Sequence, residues 1–134
     1  MNAKVALTLV ALLAASPLPA KDRGLTVRTG ESWIFAIQGG QPVRARKVDP
    51  SVRVARGQVL VTVRSMMGTT MTISSNNPDS YTYKAELIGA GKPVSERACT
   101  LPAERRVSFE HWPQKAEAIH LSNFQPAPAG GNCP

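Results

Sequence analysis

The chain has 134 residues, of which 43% are hydrophobic, 5% aromatic and 19% charged, with two cysteines and a formal net charge of +7. This length accommodates one small domain, and the apolar share excludes a disordered chain. No run reaches the roughly 20 apolar residues that a membrane-spanning helix needs. The composition also excludes collagen-like, coiled-coil and cysteine-dense classes.

The first 20 residues have the organisation of a secretory signal peptide. Lys4 supplies a positive n-region, residues 5–15 are apolar, and residues 16–20 form a plausible cleavage region. The alternative, a buried N-terminal helix, conflicts with Pro17 and Pro19, which would break it. We therefore expect a periplasmic or secreted protein. These residues contain one lysine and no acid, so their removal leaves a net charge of +6 on the mature chain.

The mature chain reads as all-β, with residues 21–30 as an extended segment and residues 31–124 as the folded domain. Apolar side chains take every second position in several short runs, which is typical of half-buried strands. Glycines at 39–40 and 89–91 and the Asn-Asn-Pro-Asp sequence at 76–79 predict turns between these runs. The alternating positions are Trp33, Phe35 and Ile37; Val59, Val61 and Val63; Met71 and Ile73; Tyr81, Tyr83, Ala85 and Leu87; Val107 and Phe109; and Ile119 and Leu121.

Seven or eight strands in about 100 residues favour an antiparallel two-sheet sandwich of immunoglobulin-like type. A small closed β-barrel is the alternative. The chain has few aromatic residues, so we expect most of them in the core. The aromatic residues predicted to be buried are Trp33, Phe35, Tyr81, Tyr83 and Phe109.

Cys99 and Cys133 are predicted to form a disulfide, because two cysteines in an exported chain meet an oxidising environment. The chain-entropy model gives such a link roughly 3–4 kcal/mol of stabilisation. It would tie down the proline- and glycine-rich tail of residues 125–134. The alternative is a reactive Cys99 thiol beside a histidine.

Five segments of the mature chain resemble a group of small exported bacterial proteins that have no assigned activity. The resemblance implies a Gram-negative envelope setting and supplies no catalytic residue. The segments are GTTMTI at 68–73, NPDSYTY at 77–83, CTLP at 99–102, FEHWPQ at 109–114 and AIHLSNF at 118–124.

The sequence lacks the specific catalytic motifs: there is no H-E-x-x-H, G-x-S-x-G, P-loop, G-x-G-x-x-G or pair of C-x-x-C units. We therefore predict neither catalytic residues nor a cofactor, and keep a small hydrolase with an unrecognised site as an alternative. A second alternative is a Cu(I) site, because thioether and imidazole groups bind this ion. The residues available for it are Met66, Met67, His111 and His120.

The least ordinary feature is the placement of charge. Six basic residues and one acid lie between positions 44 and 64, which accounts for nearly all the excess charge of the mature chain. One interpretation is that they keep a sheet edge soluble. The other is a surface for an anionic envelope partner, since guanidinium groups hold phosphate or carboxylate through two hydrogen bonds. Nucleic acid is not an expected partner after export. The residues are Arg44, Arg46, Lys47, Arg53, Arg56 and Arg64.

Overall fold

The computed structural model describes residues 23–91 and 97–127, without the side chains of residues 97–100. The predicted signal peptide, Cys133 and the side chain of Cys99 therefore lie outside the described residues. The described residues form nine strands: β1 (Leu25–Arg28), β2 (Ser32–Gln38), β3 (Gln41–Val48), β4 (Gln58–Ser65), β5 (Thr69–Ser75), β6 (Tyr81–Ile88), β7 (Arg97–Leu101), β8 (Val107–Trp112) and β9 (Ala118–Pro126).

The strands form two antiparallel sheets. One sheet has four strands in the order β1-β9-β6-β7, and the other has five in the order β3-β2-β4-β5-β8. The predicted immunoglobulin-like sandwich is confirmed at the level of architecture, since two separate sheets stack and neither closes into a barrel. The segment at 21–30 contributes β1 to the smaller sheet, and β9 continues as far as Pro126.

The core lies between the two sheets and is built from the alternating positions of their strands. Val59, Val61 and Val63 of β4 are fully buried and belong to one hydrophobic cluster with Ile119 and Leu121 of β9. Full burial of such side chains stabilises the fold by about 1.5–3 kcal/mol each.

Aromatic rings join the two sheets at the centre of this core. Phe124 of β9 stacks on Tyr83 of β6, with ring centroids 5.8 Å apart, and contacts Phe35 of β2 at 5.5 Å. Trp33 and Tyr81 pack against the cluster from half-buried positions. Four of the five aromatic residues predicted for the core therefore lie in it or against it.

Phe109 is the exception, and the prediction that it is buried is wrong. Its side chain is 71% exposed, whereas Trp112 of the same strand is buried at 4%. Strand β8 has apolar residues at both parities, so alternation alone did not determine which face turns inward. The strand directs Ser108, Glu110 and Trp112 inward and leaves Val107 and Phe109 on the outer face.

Strand β3 forms one edge of the five-stranded sheet. Its pairing with β2 shifts register between Ile34 and Ala36, so that Arg44 and Ala45 together oppose Phe35. Arg44 has a φ of 52°, as expected at a β-bulge. The bulge breaks the every-second-residue rule here, and Arg44 and Arg46 are therefore not simple neighbours on one face.

Candidate binding groove

The outer face of the five-stranded sheet carries a groove with a volume of about 780 Å³, within the range typical of ligand pockets. Its floor consists of outward-facing side chains from three neighbouring strands, and its walls come from the connections on either side. The floor residues are Leu60, Thr62 and Arg64 of β4, Thr70, Thr72 and Ser74 of β5, and Val107, Phe109 and His111 of β8. The walls are Pro50 of the β3–β4 connection and Met66 and Met67 of the β4–β5 turn.

Large apolar side chains are exposed at this groove. Four of the five exposed large hydrophobic residues in the described part of the chain line it: Met66 (59% exposed), Met67 (97%), Val107 (54%) and Phe109 (71%). A contiguous apolar patch bordered by polar residues marks an interaction surface in a soluble protein. The part of this face next to β2 is different, since Ser32, Ile34 and Thr62 are buried there.

The β4–β5 turn holds the two methionines in a defined position. Ser65 pairs with Thr69, so the turn consists of Met66, Met67 and Gly68. Met67 has a φ of 50° and Gly68 a φ of 123°, both in the left-handed region. A β-carbon at Gly68 would overlap the carbonyl oxygen of Trp112, which shows how closely the turn approaches the end of β8.

Hydrogen bonds fix the strand end beside that turn. The Thr69 hydroxyl donates to the carbonyl oxygen of Gln114 at 2.8 Å and accepts from the amide of Ala116 at 2.9 Å. Thr69 is buried, so these bonds tie the β8–β9 connection firmly to β5. One wall and the adjoining floor of the groove thus rest on a rigid support.

Polar groups lie at the same end of the groove. The Nδ1 atom of His111 lies 3.0 Å from the hydroxyl of Thr70, which leaves Nε2 outside this bond. Arg64 pairs in register with Thr70 and is exposed. Among the described residues, no carboxylate lies within ion-pair distance of Arg64.

A second, smaller cleft of about 440 Å³ adjoins the opposite end of the groove. It is lined by residues 53–56, by the β5–β6 turn and by the turn before β8. The charged residues of these segments that line the cleft are three arginines and one acid: Arg53, Arg56, Arg105 and Glu104. A small cavity shares Ser74 with the groove and Arg53 and Arg105 with the cleft, so it lies between the two.

The six basic residues predicted as one anionic-partner surface occupy several positions. Arg64 borders the groove, and Arg53 and Arg56 line the cleft. Arg44 lies at the edge-strand bulge, and Arg46 pairs with Ile34 on the outer face. The ammonium group of Lys47 is 3.0 Å from the Glu31 carboxylate, which already neutralises it. Arg105 also lines the cleft, but it is distant in sequence from the basic residues at 44–64 and was not predicted with them.

The residues considered for Cu(I) are only partly brought together. Met66, Met67 and His111 all line the groove. His120 lies on the other sheet, where its Nδ1 is 2.8 Å from the Thr26 hydroxyl and its Nε2 is 2.8 Å from the carbonyl oxygen of Arg23. Within residues 23–91 and 97–127, no three His, Cys, Asp or Glu side chains form a metal-binding group.

The ionisable groups with a shifted pKa lie outside the groove. Burial in the core, and then the charge of Glu110, raise the pKa of the Tyr83 hydroxyl. The hydrogen bond from Lys47 holds the pKa of Glu31 below its usual value. Hydrogen bonds from the hydroxyl and amide of Ser51 lower the pKa of Asp49.

Comparison of the chain with family models, with curated proteins and with solved structures finds no match. In the described part of the chain there is no helix long and apolar enough to cross a membrane.

Proposed function

We propose that the protein is an exported, non-catalytic binding module of the cell envelope that contacts an anionic amphiphile through the outer face of its five-stranded sheet. The observation that carries this proposal is the exposed apolar groove with arginines at both of its ends. An apolar surface and an excess of cations together match a molecule with a hydrocarbon part and an acidic head.

The two parts of the surface contribute differently. Phe109, Val107 and Met66 offer apolar area that loses contact with water when a hydrocarbon segment covers it, worth roughly 25 cal/mol per Å². The arginines attract the acidic head and orient it, and this contribution weakens as salt screens it. The proposed ligand therefore has both a hydrocarbon part and an acidic head, a combination that neither a simple sugar nor a neutral lipid has.

The test is co-sedimentation of the protein with phosphatidylcholine vesicles that contain an anionic phospholipid. We expect the unmodified chain to sediment with them at low salt, and to be released at high salt. A Phe109→Ser, Arg64→Ser double variant should lose at least about tenfold in affinity, because it removes one apolar and one cationic contact. Both side chains are exposed, so its thermal stability should not change.

The matched control is Ile88→Ser, Arg28→Ser. It removes the same kinds of exposed side chain from the four-stranded sheet, away from the groove. Equal losses in the two double variants would show that overall charge and hydrophobicity govern binding, and would contradict the proposal. Sedimentation with purely neutral vesicles to the same extent would contradict it as well.

A second candidate function, Cu(I) binding, is favoured by one specific observation: Met66, Met67 and His111 line the same groove. Two thioethers and an imidazole nitrogen form a soft ligand set of the kind this ion prefers. Anaerobic titration against a competing chelator should then show binding that Met66→Leu removes and that Met71→Leu, a core substitution, retains. Failure of the unmodified chain to compete would end this candidate.

A further inference from the structure

We infer that the cleft of Arg53, Arg56 and Arg105 is a phosphate-binding site, and that it receives the head group of the amphiphile whose apolar part lies in the groove. The inference rests on the proposed function for the apolar part of that ligand. The phosphate site itself stands on the composition and geometry of the cleft.

Three chain segments that are distant in sequence meet in the cleft and are joined by backbone hydrogen bonds. The amide of Gly57 donates to the carbonyl oxygen of Asn76 at 2.7 Å, and the side-chain amide of Asn76 donates to the carbonyl oxygen of Val54 at 3.0 Å. On the other side, the amide of Arg105 donates to the carbonyl oxygen of Ser75 at 2.8 Å. The arginines therefore extend from backbone that is already fixed.

The turn that carries Arg105 has an uncommon backbone conformation. Glu104 and Arg105 have φ values of 58° and 65°, so two successive residues with side chains lie in the left-handed region. Each such residue costs about 1–2 kcal/mol. The amide of Glu104 bonds the carbonyl oxygen of Asn77 at 3.0 Å, and this contact helps to retain the conformation. Conformations of this cost are concentrated at functional sites.

The charge of the cleft matches a phosphate monoester better than a carboxylate. Its lining carries three guanidinium groups and one carboxylate, Glu104, which gives a net charge of +2. Among the described residues, none of the three arginines has a carboxylate within ion-pair distance. A phosphate monoester carries about −1.5 to −2 at neutral pH and accepts paired hydrogen bonds from guanidinium groups. A single carboxylate would leave part of this positive charge without a counter-charge.

The position of the cleft suits a head group. Ser74 lies on the floor of the groove and also borders the cavity that holds Arg53 and Arg105. Val107 begins β8 directly after the turn that carries Arg105, and it belongs to the exposed apolar surface. A ligand with its phosphate on the arginines therefore has its next atoms over the apolar floor. At the other end of the groove, Arg64 borders another cleft of about 700 Å³, but the second cation there, Lys47, is already paired with the Glu31 carboxylate.

The first experiment is an NMR titration of the chain with inorganic phosphate at constant ionic strength, with chloride as the reference anion. We expect phosphate-specific shifts in the amides of residues 53–57, 76–77 and 104–105. Arg105→Ser should weaken the apparent affinity at least about tenfold, since it removes a charge-assisted pair. The matched control is Arg106→Ser, because Arg106 is the next residue, is also exposed and lies outside the cleft.

Equal effects of the two arginine variants would overturn the inference, because they would indicate general charge attraction. Shifts caused equally by chloride would overturn it too. The second experiment compares vesicles containing phosphatidic acid with vesicles containing oleate. Arg105→Ser should reduce binding to the phosphatidic acid vesicles more than to the oleate vesicles.

These outcomes separate the two proposals. Binding to both kinds of vesicle with no dependence on Arg105 would retain the proposed function and refute the phosphate site. Phosphate binding in solution without any vesicle binding would support the site and refute the proposed function.

Discussion

Tyr83 places a hydroxyl group in the hydrophobic core. The residue is 1% exposed, its ring stacks on Phe124, and its Oη atom has no hydrogen-bond partner among the described residues. Burial raises the pKa of this hydroxyl, so it is protonated throughout the usual pH range. A buried donor without a partner carries a desolvation cost of about 1–3 kcal/mol. The ring is thus stabilising while the oxygen is not.

We predict that Tyr83→Phe increases the free energy of unfolding by about 1 kcal/mol, because it removes the unpaired hydroxyl and keeps the ring. Urea-induced unfolding measures this change. Tyr81→Phe makes the same chemical change at a half-buried position of the same strand, and should alter stability by less than about 0.5 kcal/mol. A loss of stability in Tyr83→Phe would mean that the hydroxyl has a partner, and would contradict the prediction.

Some residues of the candidate site could be predicted from the sequence, and one could not. The methionines, Arg64 and His111 were all identified as candidates from their chemistry alone, and they line one groove. Arg105 was not identified, because its relation to Arg53 depends on how β5, β8 and the β3–β4 connection meet in space. No local pattern contains that information.

Among the elements, the β4–β5 hairpin depends directly on one residue. Gly68 has a left-handed φ, and a β-carbon there would overlap the backbone of Trp112 and touch that of Pro113. Gly57, before β4, has a φ of 84° but nothing within 4 Å of the position of a β-carbon. The two glycines therefore separate the effect of backbone conformation from the effect of close packing.

We predict that Gly57→Ala costs about 1–2 kcal/mol through backbone conformation alone. Gly68→Ala should cost about 1–3 kcal/mol more, because the turn and the end of β8 must also move apart. Chemical unfolding of both variants gives the comparison. Equal losses would indicate that the close approach of the turn to Trp112 does not contribute to stability. A displaced turn would also move the methionines and change the wall of the groove.

The strands themselves were largely predictable, for a physical reason. Strands that bury one face show a period of two, and β4, β5 and β6 show it most clearly. In β2 and β9 the alternation holds over only part of the strand. Strand β3 is rich in arginine and is bulged at the edge, so hydrophobic alternation could not reveal it. Strand β8 was predicted, but the face predicted to be buried was the wrong one, because apolar residues occur on both of its faces.

At the scale of the whole molecule, the inner and outer faces of the sheets have different roles. The inner faces supply the core, in which both sheets contribute to one cluster. The outer face of the larger sheet stays open over β4, β5 and β8 and carries the groove and the cleft. The alternation of strand residues predicted the core. The exposed apolar surface contradicts the usual rule for a solvated sheet face, and such departures are expected at binding sites.

The bulged, arginine-rich β3 and the apolar β8 are the two margins of the larger sheet. Positive charge and irregular backbone at the first margin repel an incoming strand. The second margin offers hydrogen-bonding groups beside Phe109. The bulge and the arginines therefore limit lateral growth of this sheet by strand addition on its β3 side.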